Sequence, residues 1–432
     1  MTHTETAAQV TGGSAAARLR AIQALRAEED RGERPRPETG TDVNGHIHTT
    51  YSFSPYTPSG AVWAARQAGL ATAGLMDHDS IAGAPEFLEA ARIAGLPATV
   101  GMECRVSFAD TPFAGRRINN PDQVGVAYMA LHGVPHDRFF ALTNWMRPYR
   151  AARMARSRRM TAGLCALLAP HGLTLDFDRD VWPLSQAEWG GSVTERHILY
   201  AAARAVTSRF GAGPDALAFA VDTLGLTVPD KTRQALADGE NPYYDYDLLG
   251  LFKTELLPLV FIPAGPEECP PAAEAAALAR RHDILLAYAY LGDVGDSPTG
   301  DKRAQTFEDG YLEELFDSLA ALGVAAVTYM PSRNTAFQLD RVRALCDARG
   351  LFQISGEDIN SPRQNFICEA LRDPKYQNLR DGAWALIGHE SRATLVHGGG
   401  LASPETVARC PNLSDRVAAF KAYGLDSMTS HF

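Results

Sequence analysis

The chain has 432 residues, 45% of them hydrophobic, enough for one large domain with an insertion or for two ordinary ones. Its 41 Lys and Arg stand against 51 Asp and Glu, a net charge of −10, which argues against nonspecific binding to nucleic acid or to an anionic membrane. Six cysteines without a CxxC pair suggest neither a zinc knuckle nor a disulfide framework, and no apolar run approaches the roughly 18 residues of a membrane span, so a reduced, cytoplasmic protein without a membrane partner is expected.

Ser14 is placed to cap a helix running to about Glu29, and RGERPRPETGT after it has the Pro, Gly and charge content of a linker. Residues 1–41 therefore read as an N-terminal helix and linker, with the ordered domain starting near Asp42. From there short apolar runs alternate with helical stretches, the signature of βα units and a mainly parallel sheet. The runs are VNGHIH (43–48), LATAGLMDHD (70–79), LPATVGMECRV (96–106), QVGVAYMALHG (123–133), HDILLAYAYLGD (282–293), GVAAVTYMPSR (323–333) and LFQISGEDIN (351–360). Between the fourth and fifth, residues 136–258 are rich in Ala, Leu and Arg at helical spacing and read as an all-helical insertion. Seven parallel strands with helices between them are expected to close into an α/β barrel built from residues 42–135 and 259–432. WALIGHES (384–391) would add a short eighth element or cover the barrel.

Barrels carry their active sites at the C-terminal strand ends. Those ends hold His46 and His48, then Asp77, His78 and Asp79, then Glu103, His132, Tyr288 or Tyr290, Arg333, and Asp358 with Asn360. A strand-borne HxH points both rings to one face, which suits two metal ligands. Each piece also has a plain structural reading: HxH recurs by chance, and acids favour the caps that start helices. What joins them is the same position in successive βα units. Imidazole with carboxylate and no thiolate suits Zn, Mn or Fe, with Mg possible, and a bridging carboxylate lets two cations sit about 3.5–4 Å apart. The natural chemistry of such a cluster is phosphoester hydrolysis.

The runs HIHTTYSFSPYTP, GLMDHDSIAGAPEF, VGMECRV, LHG and SGEDIN, in that order and spacing, resemble the PHP (polymerase and histidinol phosphatase) superfamily over roughly residues 42–135 and 280–370, with the helical insertion outside the resemblance. The resemblance implies a distorted (β/α)7 barrel holding two or three divalent metal ions and acting as a metal-dependent phosphoesterase. Position by position it implies His46 and His48 as ligands from the first motif, His78 from the second, Glu103 as the bridging carboxylate, His132 as the next ligand, and Asp358 as the acid of the last motif. Three positions depart from the family pattern. Phe53 and Ser54 stand where it usually has an Asp or His, Ala287-Tyr288-Ala289 replaces Ala-His-Pro, and Asp358-Ile359-Asn360 replaces Asp-x-His. Tyr and Asn oxygens are poorer donors than imidazole, so Asn360 as a ligand would leave one metal weakened, shifted toward Mg or Mn, or lost.

Phosphate recognition needs Arg or Lys near the metals. Arg333 is the first choice, then Arg363, with Lys302 and Arg303 in the loop after the fifth strand and Tyr288 on that strand. Arg196 and His197 lie at a helix start favourable for anions, although Thr194 as a cap explains part of that pattern. Residues 137–160 carry seven arginines, either a solvated helix face or a basic lid. Asp77 and Asp79, counted with Arg333 among the catalytic groups, would orient imidazoles or ligate. The sequence thus points to a phosphatase that hydrolyses a small phosphorylated metabolite by metal-activated water. Its rivals are an exonuclease or nucleotide phosphodiesterase on the same site, using the arginine-rich helix as a strand-binding face, and a catalytically inactive ligand-binding barrel. Hydrolysis of a C–N or C–O bond is a further possibility, and the oligomeric state has no sequence signature.

Overall fold

A computed structural model describes residues 10–293 and 305–429. Strands form within all seven apolar runs: β1 (Val43–Ile47), β2 (Thr72–His78), β3 (Ala98–Ser107), β4 (Val126–His132), β5 (Leu285–Ala289), β6 (Ala326–Thr328) and β7 (Phe352–Ile354). They lie in one sheet in sequential order. The sheet is mixed, which corrects the expectation of seven parallel strands: β1 to β3 and β5 to β7 are parallel, but β4 runs antiparallel to both β3 and β5. A parallel neighbour requires a crossover connection, usually helical. Between Ser107 and Val126 no helix forms, so the chain simply turns back.

The sheet curls until the segment after β7 meets β1. His48 N donates to Ile359 O (2.9 Å) and Ile359 N to His46 O (3.1 Å), so the seam runs along the HxH itself. Gly356 allows this approach, because a Cβ there would stand 2.6 Å from His46 N. Gly74 does the same between β1 and β2, where a Cβ would meet the Gly45 backbone at 2.8 Å. Strand alternation then sorts the two faces of the barrel wall. Met76, Ala130, Ala287, Ala326 and Ile354 pack inward as one cluster, while Cys104, Met129, Leu286 and Val327 join the larger core under the outer helices.

Those outer helices begin with α1 (Ala15–Asp30), α2 (Pro58–Gln67) and α3 (Ala84–Ala94). The linker does not set α1 apart: Ile22 and Leu25 enter the main core, and Arg66 of α2 grips buried Glu29 with two 2.7 Å bonds. Between β4 and β5 come α4 (Phe139–Leu168), α5 (Glu195–Phe210) and α6 (Tyr244–Glu255), joined by shorter helices and turns around an apolar cluster of their own. The later helices are α7 (Ala272–Arg281), α8 (Leu312–Leu322), α9 (Ala336–Arg349), α10 (Gln377–Leu395) and α11 (Leu413–Thr429). Residues 384–391 lie inside α10, whose Ala385 and Leu386 close one end of the barrel interior. No described helix is long and apolar enough to cross a membrane.

Glu390 of α10 fixes that closure. Its buried carboxylate accepts Thr99 Oγ1 (2.6 Å), Val100 N (2.8 Å) and His136 Nε2 (2.9 Å). Burial works against a charged His136 ring, but the hydrogen bond and charge of Glu390 outweigh it and raise the pKa above the usual value. A raised folded-state pKa contributes stability below the unfolded value of about 6.5 and loses it as pH rises through the folded value. His136→Gln is therefore expected to lower the melting temperature more at about pH 5.5 than at about pH 9. Equal losses at the two pH values would contradict a charged pair.

Candidate metal centre

The curl of the sheet brings four elements to one rim. His46 of β1 and His48 just beyond it alternate onto the inner face, and the parallel register of β2 and β3 sets His78 beside Glu103. Glu103 Oε2 lies 3.1 Å from His78 Nδ1 and 3.8 Å from His46 Nε2. Across the seam, Asp358 Oδ1 lies 3.1 Å from His48 Nε2. Ligand atoms of His46, His48 and Glu103 all fall within 4.8 Å of one another.

The electrostatics suit a divalent cation. Burial and then the neighbouring His48 push His46 down to about 4, and burial, His48 and Arg153 hold His78 well below the usual value. These rings are neutral at physiological pH, the form that ligates metal. His48 differs, because the bond and charge of Asp358 outweigh its burial and raise it. Its other nitrogen explains the geometry. Asp77, fully buried, accepts Thr49 N (2.7 Å), Thr49 Oγ1 (2.6 Å) and Ser52 Oγ (2.7 Å), and Ser52 Oγ in turn sits 3.2 Å from His48 Nδ1. With the Ser52 proton committed to Asp77, the Ser52 oxygen is left to accept from Nδ1–H. The Nε2 lone pair then faces the Asp358 carboxylate, and a cation or a proton must stand between them. His48 Nε2, His78 Nδ1 and His132 Nε2 are buried and, among the described residues, lack a hydrogen bond of good geometry. The residues present thus fit a divalent ion.

Asp77 touches no ligand position directly; of the two roles expected for it, orienting an imidazole or ligating, the geometry matches the first, because it positions His48 through Ser52. Ser52 was overlooked in the sequence, where its only signal is a hydroxyl four residues past His48. Asp79, with φ 54°, is bonded to Arg153 of α4 and serves the joint between barrel and insertion. His132 is also displaced from the expected rim position. Ala130 pairs with Glu103, so on an antiparallel strand His132 lies two residues deeper, and Tyr128 takes the rim. Burial and His46 push the His132 ring down to about 3, leaving a neutral donor beneath His46. The Tyr128 ring stands 5.9 Å from that of His78.

Tyr288 belongs to the other face of β5, buried in the outer core, and Ala289 lines the cavity in its stead, so β5 supplies no side-chain ligand. Asn360 donates from Nδ2 to Asp358 Oδ1 (2.6 Å), which makes it a holder of the acid in this arrangement. His197 is not a substrate group: its Nδ1 accepts Thr194 N (3.0 Å) in a capping box, and burial pushes it down to about 3. Arg363 is bound by Asp247 of α6 through Nε (2.8 Å) and Nη2 (2.6 Å), so it anchors the insertion and does not face the metal rim. Lys302 and Arg303 lie outside the described residues.

Arg333 and Arg196 do line the cavity above the ligands, an enclosure of about 220 Å³ shared with Lys253, Phe53, Leu257 and Phe261. Burial pushes Asp358 up, but His48, His46 and Arg196 together hold it well below the usual carboxylate range. Its side chain is 43% exposed and so reachable from the cavity. The wall beside it is a lattice of buried ion pairs. Arg153 and Arg156 of α4 pair with Asp79, Glu195 and Glu268, and Arg105 of β3 also pairs with Glu268.

The curled α/β sheet thus brings imidazoles and a carboxylate together at one rim, a group that could hold a metal ion. Residues 44–177 of the chain match the PHP domain family, a match that takes in the first four strands almost whole and all of α4. Two solved structures are similar to it. One is a protein from Bifidobacterium adolescentis provisionally assigned as a metal-dependent phosphoesterase (TM-score 0.49, 21% identity, 78% of this chain and 96% of that one). The other is an amidohydrolase from Chromobacterium violaceum with bound sulfate and no metal (TM-score 0.49, 19% identity, 76% of this chain and 90% of that one). No curated protein matches.

Proposed function

We propose that the protein is a divalent-metal-dependent phosphatase of small phosphorylated metabolites. The observation that carries this reading is the pairing, in one small cavity, of an imidazole–carboxylate floor with the guanidinium groups of Arg196 and Arg333. Two ions of the Zn, Mn or Fe type suit the donor set, with Glu103 between His46 and His78 and Asp358 beside His48. Bound ions would supply Lewis-acid charge and lower the pKa of water. The chain's own groups do the rest. Ser52 and Asp77 fix the His48 tautomer, the arginines offer paired donors to phosphoryl oxygens, and Tyr128, a half-buried side chain whose hydroxyl is held protonated, can donate to an oxygen of the ester. Three arginines of α4 support a small substrate over a nucleic-acid strand, because Arg153, Arg156 and Arg158 are committed to acids. Buried free thiols at Cys104, Cys269, Cys346 and Cys368 suit a reducing cytoplasm.

The test is phosphate release from a panel of monoesters before and after chelation. Release is expected to vanish on chelation and return with Mn or Zn. Arg196→Ala should raise KM about tenfold or more without changing the circular dichroism, from the loss of a charge-assisted contact. Release that survives complete metal removal would sink the reading.

A further inference from the structure

Phe53 stands where the family resemblance expects a metal-ligating acid or imidazole, and its surroundings show a different use. Its ring packs edge-on against His197 (centroids 5.0 Å) and Tyr200 (5.7 Å), and it belongs to the apolar cluster of the insertion with Val193 and Ile198. The same ring lines the cavity above the ligands, together with Leu257 and Phe261 from the segment after α6. The insertion is thus tied to the metal rim through a side chain that cannot ligate. The buried ion pairs of Arg153 and Arg156 with Asp79, Glu195 and Glu268 make this wall a fixed part of the site.

A cavity with imidazoles and carboxylates on its floor and three apolar side chains on one wall favours a ligand polar at one end and apolar at the other, since apolar surface leaving water stabilises in proportion to its area. At about 220 Å³ it falls below the roughly 300–1,000 Å³ of drug-sized pockets, which suits one ring and not an extended chain. We infer that the substrates are phosphomonoesters whose leaving group is a single ring or a similar apolar moiety, seated against Phe53, Leu257 and Phe261. This rests on the phosphatase reading. In the reaction water adds its oxygen to phosphorus, the ester P–O bond breaks, and the leaving oxygen takes up a proton, giving phosphate and the free alcohol.

The test uses two esters whose alcohols are similarly acidic, benzyl phosphate and ethyl phosphate, with the Mn-loaded full-length protein. It is paired with calorimetric binding of benzylphosphonate and ethylphosphonate, which are not hydrolysed. Benzyl phosphate is expected to show at least a tenfold higher kcat/KM, and benzylphosphonate to bind at least tenfold tighter. Phe261→Ser, or Leu257→Asn if the first variant fails to fold, should cut both ratios below about threefold. Hydrolysis of both esters at similar kcat/KM would overturn the subsite and leave the phosphatase reading standing. No hydrolysis, with benzylphosphonate still preferred, would overturn the phosphatase reading and keep the apolar subsite. Ratios that persist in the variants would overturn the assignment to these residues.

Discussion

Glu103→Gln is expected to lower kcat/KM by on the order of 10³-fold and to leave the purified protein with less than half of its wild-type metal content. The position of the carboxylate accounts for both losses. Oε2 is 3.1 Å from His78 Nδ1 and 3.8 Å from His46 Nε2, and both rings are held neutral. Glu103 is the only acid whose ligand atom groups tightly with the HxH pair among the described residues, so the amide removes the charge that would balance an ion there. The metal-free variant should melt no lower than metal-free wild type, because a buried carboxylate beside the neutral His46 and His78 rings carries a desolvation cost that the amide avoids. That contrast separates a ligand from a structural acid: unchanged metal content, or a lower melting temperature in the metal-free state, would contradict the role. His132→Ala is the informative comparison. This deeper ring should cost metal content without the full loss of activity if Glu103 and His46 hold the ion nearest the cavity.

The strands were legible because each is a short apolar run bounded by Gly, Pro or charge, and the ligands because an HxH, a DHD and a Glu recur at run ends. Strand direction was not legible, because it depends on what connects two strands. Reading QVGVAYMALHG as one more βα unit put His132 at the rim, and the helix-free return after Ser107 puts it two residues lower. Tyr288 failed by parity, since a one-residue offset along a strand exchanges the two faces. The family motif pointed to position 288, whereas the cavity side belongs to Ala289. His197 could have been read correctly, because a nitrogen-bearing side chain three residues after Thr194 fits a capping box. Arg153 and Arg156 also carried a signal in their i, i+3 spacing on one helix face. Their partners Asp79, Glu195 and Glu268 are too distant in sequence for any local pattern to reveal them.

Those partners give the second large effect. Glu268→Ala is expected to destabilise the protein by about 3–5 kcal/mol, the usual consequence of leaving buried charges unpaired. Glu268 accepts Arg156 Nε (2.6 Å) and Nη2 (2.8 Å) and pairs with Arg105, and all three side chains are almost wholly buried. Arg105 belongs to β3 and Arg156 to α4, so the loss falls on the joint between barrel and insertion. Trypsin should cut within residues 139–255 faster than in wild type, and thermal melting should split into two transitions. The double variant Glu268→Leu with Arg105→Met discriminates the cause. It removes one charge of each sign and leaves Arg153 and Arg156 facing Asp79 and Glu195, so charge is again balanced in an apolar setting. Replacing a buried pair by hydrophobic residues is often neutral or stabilising, and the double variant is expected to recover most of the loss. If it is as unstable as Glu268→Ala, the joint depends on the shape and hydrogen bonds of this carboxylate and not on its charge, and the lattice does not hold the insertion in the way proposed.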